Sequence, residues 1–467
     1  MKTNTKSESV FVTAPASARV AGGFGAVADT ITAEQSLRRC VLTNLLWEDN
    51  FYESGVSIAA EIARLVPLVP AATVRDIAIE ARSLQKLRHV PLFLAREMAR
   101  LATHRHEVAT TLAQVIQRPD ELTEFLAIYW KDNKNAPLSN QVKKGLATAF
   151  TKFNEYSLGK YNQDKDVKLR DVLFLCHAKP LNKEQEAVWK KLIDGTLATP
   201  DTWEVELSAS KDKKASWERL LSEKRLQVLA FIRNLRNMTE AGVDKNLVRN
   251  YFLTVNPERA LPFNFLSAAE HAPAYTAQIE ELMFRCLASY PKLKGKTVFI
   301  VDVSGSMQAG LSDRGTMTRL GAAAALAALM REVCEQPVIY ATAGSDHLRK
   351  HATREVGASR GFALMEAIKK ELHALGGGGI FLCQATKFVE NLEKDAARLL
   401  VLSDSQDCDY EANPNKAATF GTYNYLFDVA AHTKGVGYKK FVHIDGWSEH
   451  VIDYIYAYEQ LGFQGQG

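Results

Sequence analysis

"TVFIVDVSGSMQAG", residues 297–310, sets the fold of the part of the chain in which it stands. An unbroken run of β-branched and aromatic residues, Thr297 to Val301, ends at Asp302, and Ser304 and Ser306 follow on a glycine-bearing turn. A short apolar run closed by turn residues is the pattern of a strand buried on both faces, as in a parallel sheet. "PVIYATAG", "RLLVLSDS" and "KFVHIDGW" have the same texture. Between them lie "RLGAAAALAALMREV", "GFALMEAIKKELHAL" and "TYNYLFDVAAHT", which we read as helical. Strands and helices in alternation predict a doubly wound α/β domain over residues 291–467. Ligands of such folds bind beyond the carboxyl ends of the strands. Asp302 and Asp404 both stand at such ends.

The D-x-S-x-S spacing brings a carboxylate and two hydroxyls to one loop, and Asp404 adds a second carboxylate. Hard oxygen ligands of this kind suit Mg²⁺, with waters completing the octahedron. The alternative is that Asp302, Ser304 and Ser306 cap the turn and the helix after it, a common role for Ser and Asp.

Upstream, the period changes. From residue 31 to 290 the pattern is helical almost throughout: "EQSLRRCVLTNLLW", "SIAAEIARLV", "TVRDIAIEARSLQ", "PLFLAREMARLATH", "ELTEFLAIYW" and "QVKKGLATAFTKF" are amphipathic blocks with short turns between them. In "SWERLLSEKRLQVLAFIRNLRNM", Leu221, Val228, Ile232, Leu235 and Met238 recur at helical spacings, and "TEAGV" supplies a glycine stop. Many helices with short connections predict an α-solenoid of HEAT type; an irregular bundle would have the same periodicity. Residues 1–30, rich in Ala, Gly and Ser, predict a flexible arm.

Composition narrows the classes. With 46% hydrophobic and 24% charged residues over 467 positions, the chain is globular and has two or three domains. Residues 1–290 hold 39 Lys and Arg against 34 Asp and Glu, and the remainder 19 against 20, so the basic surplus belongs to the helical part. The six cysteines are scattered without a CxxC pair, which argues against a zinc site or a disulfide framework. Without a signal peptide or a membrane-length apolar stretch, we expect a cytoplasmic protein with no membrane partner.

The D-x-S-x-S loop together with "LSDS" resembles the metal-ion-dependent adhesion site (MIDAS) of von Willebrand factor A domains, over about residues 292–467. The family's further Thr ligand falls in "LGGGGIFLC", where Ile380 takes its place. The resemblance implies Mg²⁺ held by Asp302, Ser304, Ser306 and Asp404, in a Rossmann-like domain. "KLRDVLFLCHAKP", "FIRNLRNM" and "RALPFNFLSAAEH" resemble signatures of the TROVE module of Ro60-type proteins. In that family a ring of HEAT-like repeats, here residues 31–290, precedes the A domain.

The resemblance implies a non-catalytic, monomeric RNA-binding scaffold. Its partners would be a small noncoding Y-like RNA and the 3′ ends of misfolded or single-stranded RNAs. Its work would be RNA quality control or processing, with an exoribonuclease such as polynucleotide phosphorylase tethered through the RNA. Lys160 and His177 match family positions on the Y RNA face, while the family's second basic loop position falls on Asp164, with Lys165 beside it. Lys168, Arg170 and Lys179 border the same segment, each a candidate phosphate contact or a solvated surface charge; Arg233 and Arg236 share a helix face, which is a candidate RNA-binding rim of the ring's inner surface or a set of helix-to-helix salt bridges. Lys211, Lys213 and Lys214 form a basic loop. The alternative function is a protein-interaction platform whose A domain binds an acidic group through the metal. A nuclease is disfavoured, because two-metal chemistry needs more carboxylates than Asp407 and Asp409 add.

Overall fold

The structure, a computed structural model, describes residues 32–43, 55–200, 202–311, 317–409, 419–430, 441–445 and 450–460. The expected N-terminal arm lies outside them. Helices fill the described chain up to Thr276–Leu287, and the sheet begins with β1, Leu293–Asp302. The other strands are β2 (Cys334–Ser345), β3 (Lys350–Glu355), β4 (Ala396–Ser403), β5 (Tyr423–Asp428) and β6 (Val442–Asp445). Their order is β3-β2-β1-β4-β5-β6, parallel except for the antiparallel β2–β3 pair. The helical part followed by a doubly wound sheet is the fold expected from the sequence.

The central strands show why the apolar runs are continuous. Phe299 and Val301 of β1, with Leu400 and Leu402 of β4, join the larger apolar core. Their neighbours Val298, Ile300, Leu399 and Val401 join a second core on the opposite face, with Leu382 and Val389. Alternate side chains thus bury both faces, the signature of a sheet covered by helices on each side. The helix Arg319–Val333 is buried almost throughout, and its alanines let it lie close to the sheet.

Two sequence expectations need correction. "TYNYLFDVAAHT", read as a helix, contains β5: Tyr425 to Asp428 are all buried beside β4. A run that short fits a buried strand as well as one helical face, and burial on both sides decides for the strand. The stretch from Ser216 to Met238 is split into helices Lys213–Ser222, Val228–Arg233 and Leu235–Glu240. Lys224 adopts the left-handed conformation at φ 54°, and Asn234 ends one helix and begins the next. Gly242, at φ 71°, does form the expected stop.

The helical part begins and ends on the sheet domain. Its first described helix, Ala33–Thr43, packs on Val451–Gln460 and touches β6; its last, Thr276–Leu287, packs on Arg319–Val333. At the second junction Glu280 accepts a 2.7 Å hydrogen bond from the Phe362 backbone, and the Arg360 guanidinium lies 4.6 Å from the Phe284 ring centroid.

Candidate functional site

The signature "FIRNLRNM" owes its pattern to a cavity. Phe231, Ile232, Leu235 and Met238 are buried, which turns Arg233, Arg236 and Asn237 outward. The helix Pro262–His271, which packs against both short helices, buries Phe265 and Leu266 and offers Asn264, Ser267, Ala268 and His271, spaced along one helix face. These two walls, together with Tyr156 and Lys160 on one side and Thr202, Trp203, Lys224 and Arg225 on another, enclose about 1080 Å³. Trp203 is held by stacking on the buried Trp217, with ring centroids 6.2 Å apart and an interplanar angle of 25°.

The cavity is electropositive. Lys160, Lys224, Arg225, Arg233 and Arg236 face a single lining carboxylate, Glu204. Arg236 reaches Glu240 at 3.5 Å, and Arg233 has no acidic partner among the described residues. Carboxamides supply neutral donors and acceptors: Asn237 Nδ2 donates to Asn234 Oδ1 at 2.8 Å, and Asn234 Nδ2 to the Ala230 carbonyl at 2.8 Å. Cations, amides and two aromatic rings around one space suit a flexible polyanion whose planar groups can stack.

The structure brings Lys160 together with Arg233 and Arg236 in this cavity; the two arginines, expected on one face of a single helix, stand on the separate short helices Val228–Arg233 and Leu235–Glu240. His177 and Lys179 instead line a groove of about 800 Å³ elsewhere. There His177 is the left-handed C-cap (φ 52°, ψ 41°) of the helix Leu169–Cys176, which turns the chain sharply at the groove's edge. Phe174 beside it is 57% exposed, so its ring is open to a stacking partner. Lys183 and Lys190 add positive charge to the rim, against Glu186.

Lys165, Lys168 and Arg170 lie on the segment between the two sites and line neither. Lys168 binds Asp164 at 2.7 Å, and Arg170 is 3.9 Å from Asp171. Asp164, which stands where the family resemblance expects a basic group, is therefore neutralised by its own chain, and its carboxyl is held below the usual range by the Lys168 hydrogen bond. Tyr156, Trp203, Lys224, Arg225 and His271 were not anticipated; the i, i+3, i+7 polar series Asn264, Ser267, His271 was the available signal.

At the sheet, the carboxyl ends of β1 and β4 are neighbours, because the chain leaves β1 for β2 on one side and returns to β4 on the other. This is the switch point where doubly wound sheets open a crevice. Asp302 and Asp404 are both fully buried there. Asp302 accepts from the Ser304 backbone at 2.8 Å and from Ser403 Oγ at 2.7 Å. Asp404 accepts from the Gln406 backbone at 3.3 Å and from Arg319 Nη1 at 2.8 Å. Ser304 Oγ and Ser306 Oγ are 3.1 Å apart. Burial first, and then the Asp404 charge, push the Asp302 carboxyl up to about 7, against the hydrogen bonds from Ser304 and Ser403.

The four expected metal ligands do converge, but their oxygens are already engaged, and a guanidinium occupies Asp404. Ile380 offers no oxygen from its side chain, which is 1% exposed and packed with Val298, Ile300 and Leu382. Gly378 and Gly379 beside it thread a gap too narrow for side chains: a Cβ on Gly378 would stand 2.3 Å from the Gly344 carbonyl oxygen, and one on Gly379 2.4 Å from Cys408 Sγ. Gly305 N–H donates to the Gly378 carbonyl at 3.3 Å, which ties that run to the D-x-S-x-S loop. This donor set does not fit a divalent ion without rearrangement. Among the described residues, no three His, Cys, Asp or Glu side chains are grouped to hold a metal.

Comparison with known proteins agrees with these features. Residues 195–369 match the family model described as the TROVE domain, a span that includes the cavity's two helical walls and runs on into the sheet. The solved structure of the Deinococcus radiodurans Ro (RSR) protein matches with a TM-score of 0.63 at 16% identity, covering 91% of this chain and 99% of that one. Telomerase protein component 1 of Mus musculus is 33% identical over 92 residues, and that of Rattus norvegicus 33% over 89 residues. In each case the match covers 18% of this chain and 3% of the relative's length, so the chain spans only a small part of these relatives. Over residues 195–369 the chain is thus similar in sequence to the TROVE domain, and over most of its length it shares the fold of the Ro protein.

Proposed function

We propose that the chain is a non-catalytic RNA-binding scaffold. The supporting observation is the cavity in which Lys160, Lys224, Arg225, Arg233 and Arg236 surround Tyr156 and Trp203 with a single lining carboxylate. Phosphates of a single strand are neutralised by the cations, with release of counterions, and unpaired bases stack on the rings. The groove at His177 and Phe174, rimmed by Lys179, Lys183 and Lys190, is a second contact for a structured RNA whose loops present unstacked bases. Lys165, Lys168 and Arg170 extend its phosphate track.

On this reading the chain holds a Y-like noncoding RNA at the groove and accepts ends of misfolded RNA at the cavity. It acts in RNA quality control or processing in the cytoplasm, with an exoribonuclease joined through the RNA. Ultraviolet crosslinking in the protein's own cells, followed by sequencing of the RNA recovered with it, tests this directly. Enrichment of one small structured RNA, lost in a Lys160→Ala, His177→Ala variant, supports the proposal. Absence of any enriched RNA refutes it and redirects the search to protein partners of the sheet domain.

A further inference from the structure

The crevice between β1 and β4 raises a question that RNA binding leaves untouched: what neutralises two fully buried carboxylates on adjacent strand ends. A buried pair of like charges is unfavourable without a cation beside it. Among the described residues, the cation paired with them is Arg319. Its guanidinium donates to Asp404 Oδ2 at 2.8 Å and is only 17% exposed.

The backbone fixes that arginine in place. Arg319 opens a helix capped by Thr318, whose Oγ accepts from the Gly321 backbone at 3.0 Å, and the Arg319 N–H itself donates to the Ala309 carbonyl at 3.0 Å. The helix behind it is packed into the sheet along its length, so the guanidinium is carried on a rigid element. Every oxygen of the four candidate ligands meanwhile already has a partner within the chain. The two oxygens of Asp302 serve Ser304 and Ser403, those of Asp404 serve Gln406 and Arg319, and the two serine hydroxyls bond each other. Asp407 and Asp409, next along the loop, accept backbone N–H groups of Leu382 and Gln384 and so are turned toward the adjoining helix.

We propose that Arg319 is the resident counter-cation of this crevice, so that the sheet domain's D-x-S-x-S loop is closed by the chain's own guanidinium and excludes a divalent ion. The loop then serves as a rigid clasp between β1, β4 and the helix Arg319–Val333, and the sheet domain needs no metal to hold its shape.

The test is Mn²⁺ binding to the purified full-length chain, read as loss of the free-ion electron paramagnetic resonance signal, with thermal melts in chelator and in Mn²⁺ alongside. The wild type is expected to bind weakly, with the same melting temperature in both buffers. Arg319→Ala removes the competing like charge and is expected to bind about tenfold or more tightly, with a melting temperature raised by Mn²⁺. Arg319→Lys keeps the charge and is expected to exclude the ion as the wild type does. Should Arg319→Ala fail to fold in chelator, recovery of a cooperative melt in Mn²⁺ supports the proposal equally, and failure in both buffers overturns it. Tight binding by the wild type, or equal binding by wild type and Arg319→Ala, including none by either, overturns it as well.

Discussion

Removing Lys160, Arg233 and Arg236 together separates a cavity that binds a strand from one that is merely basic. All three line the same space, approached from different helices, and Arg233 lacks an acidic partner among the described residues. If each neutralises one phosphate of a single strand, the slope of log Kobs against log salt falls by about 0.7 per contact, or about 2 in all. Because this term vanishes near 1 M salt, the triple alanine variant should bind about a hundredfold more weakly at roughly 0.1 M, with the deficit closing as salt rises. The assay is fluorescence anisotropy of a short unstructured oligoribonucleotide across a salt series. The Lys370→Ala, Lys387→Ala variant is the control: both side chains are exposed on helices of the sheet domain, outside the cavity and the groove, so its line should overlay the wild type's. Parallel lines for wild type and triple variant would refute the reasoning, since the cations would then not meet phosphates.

Trp203→Ala should weaken the same oligonucleotide by about 1–3 kcal/mol with an unchanged salt slope, because stacking releases no counterions; a changed slope in the titration would count against the stacking role. Gly145→Ala places a Cβ 2.8 Å from Leu112 Cβ, where the helices Val108–Val115 and Asn140–Phe150 cross, and should cost about 1–3 kcal/mol in denaturant unfolding. The fully buried Glu121 holds Arg82 at 2.7 Å, and Arg82→Met leaves that carboxylate without this partner, so a loss of about 3–5 kcal/mol is expected in the same assay. Asp132 is held below its ordinary value by the hydrogen bond from Arg100, with Arg96 adding to it against the opposing effect of burial. Its folded value lies below its unfolded one, so its contribution is present above about pH 4 and disappears as pH falls through the folded value. The stability gap between wild type and Asp132→Asn should therefore be constant at neutral pH and narrow in acid, as measured by melts at a series of pH values.

How much of this was legible from the sequence depended on the range of the interactions. β1 and β4 announced themselves because both faces are buried and their central residues, 298–301 and 399–402, are all apolar. The same rule misled at Tyr423–Asp428, where polar Tyr and Asn in a short run imitate a helical face until the neighbour β4 is known. Asp302 and Asp404 were found because strand ends at a switch point are adjacent whatever the side chains. Arg319 was invisible as their partner, since 85 residues separate it from Asp404 and an arginine opening an alanine-rich helix ordinarily faces solvent. At the cavity, the spacing in "FIRNLRNM" marked an outward polar face. Its meeting with Lys160 and Trp203 depends on how distant helices pack, which no local period encodes.

The most direct measurement is mass spectrometry of peptides crosslinked by ultraviolet light to RNA in the protein's own cells. A scaffold that threads a single strand through the cavity predicts nucleotide adducts on the peptides carrying Tyr156, Trp203 and Arg225 to Asn237, with further adducts around Phe174 and His177. Adducts confined to the sheet domain, or absent from both helical sites while RNA is present, would contradict the account.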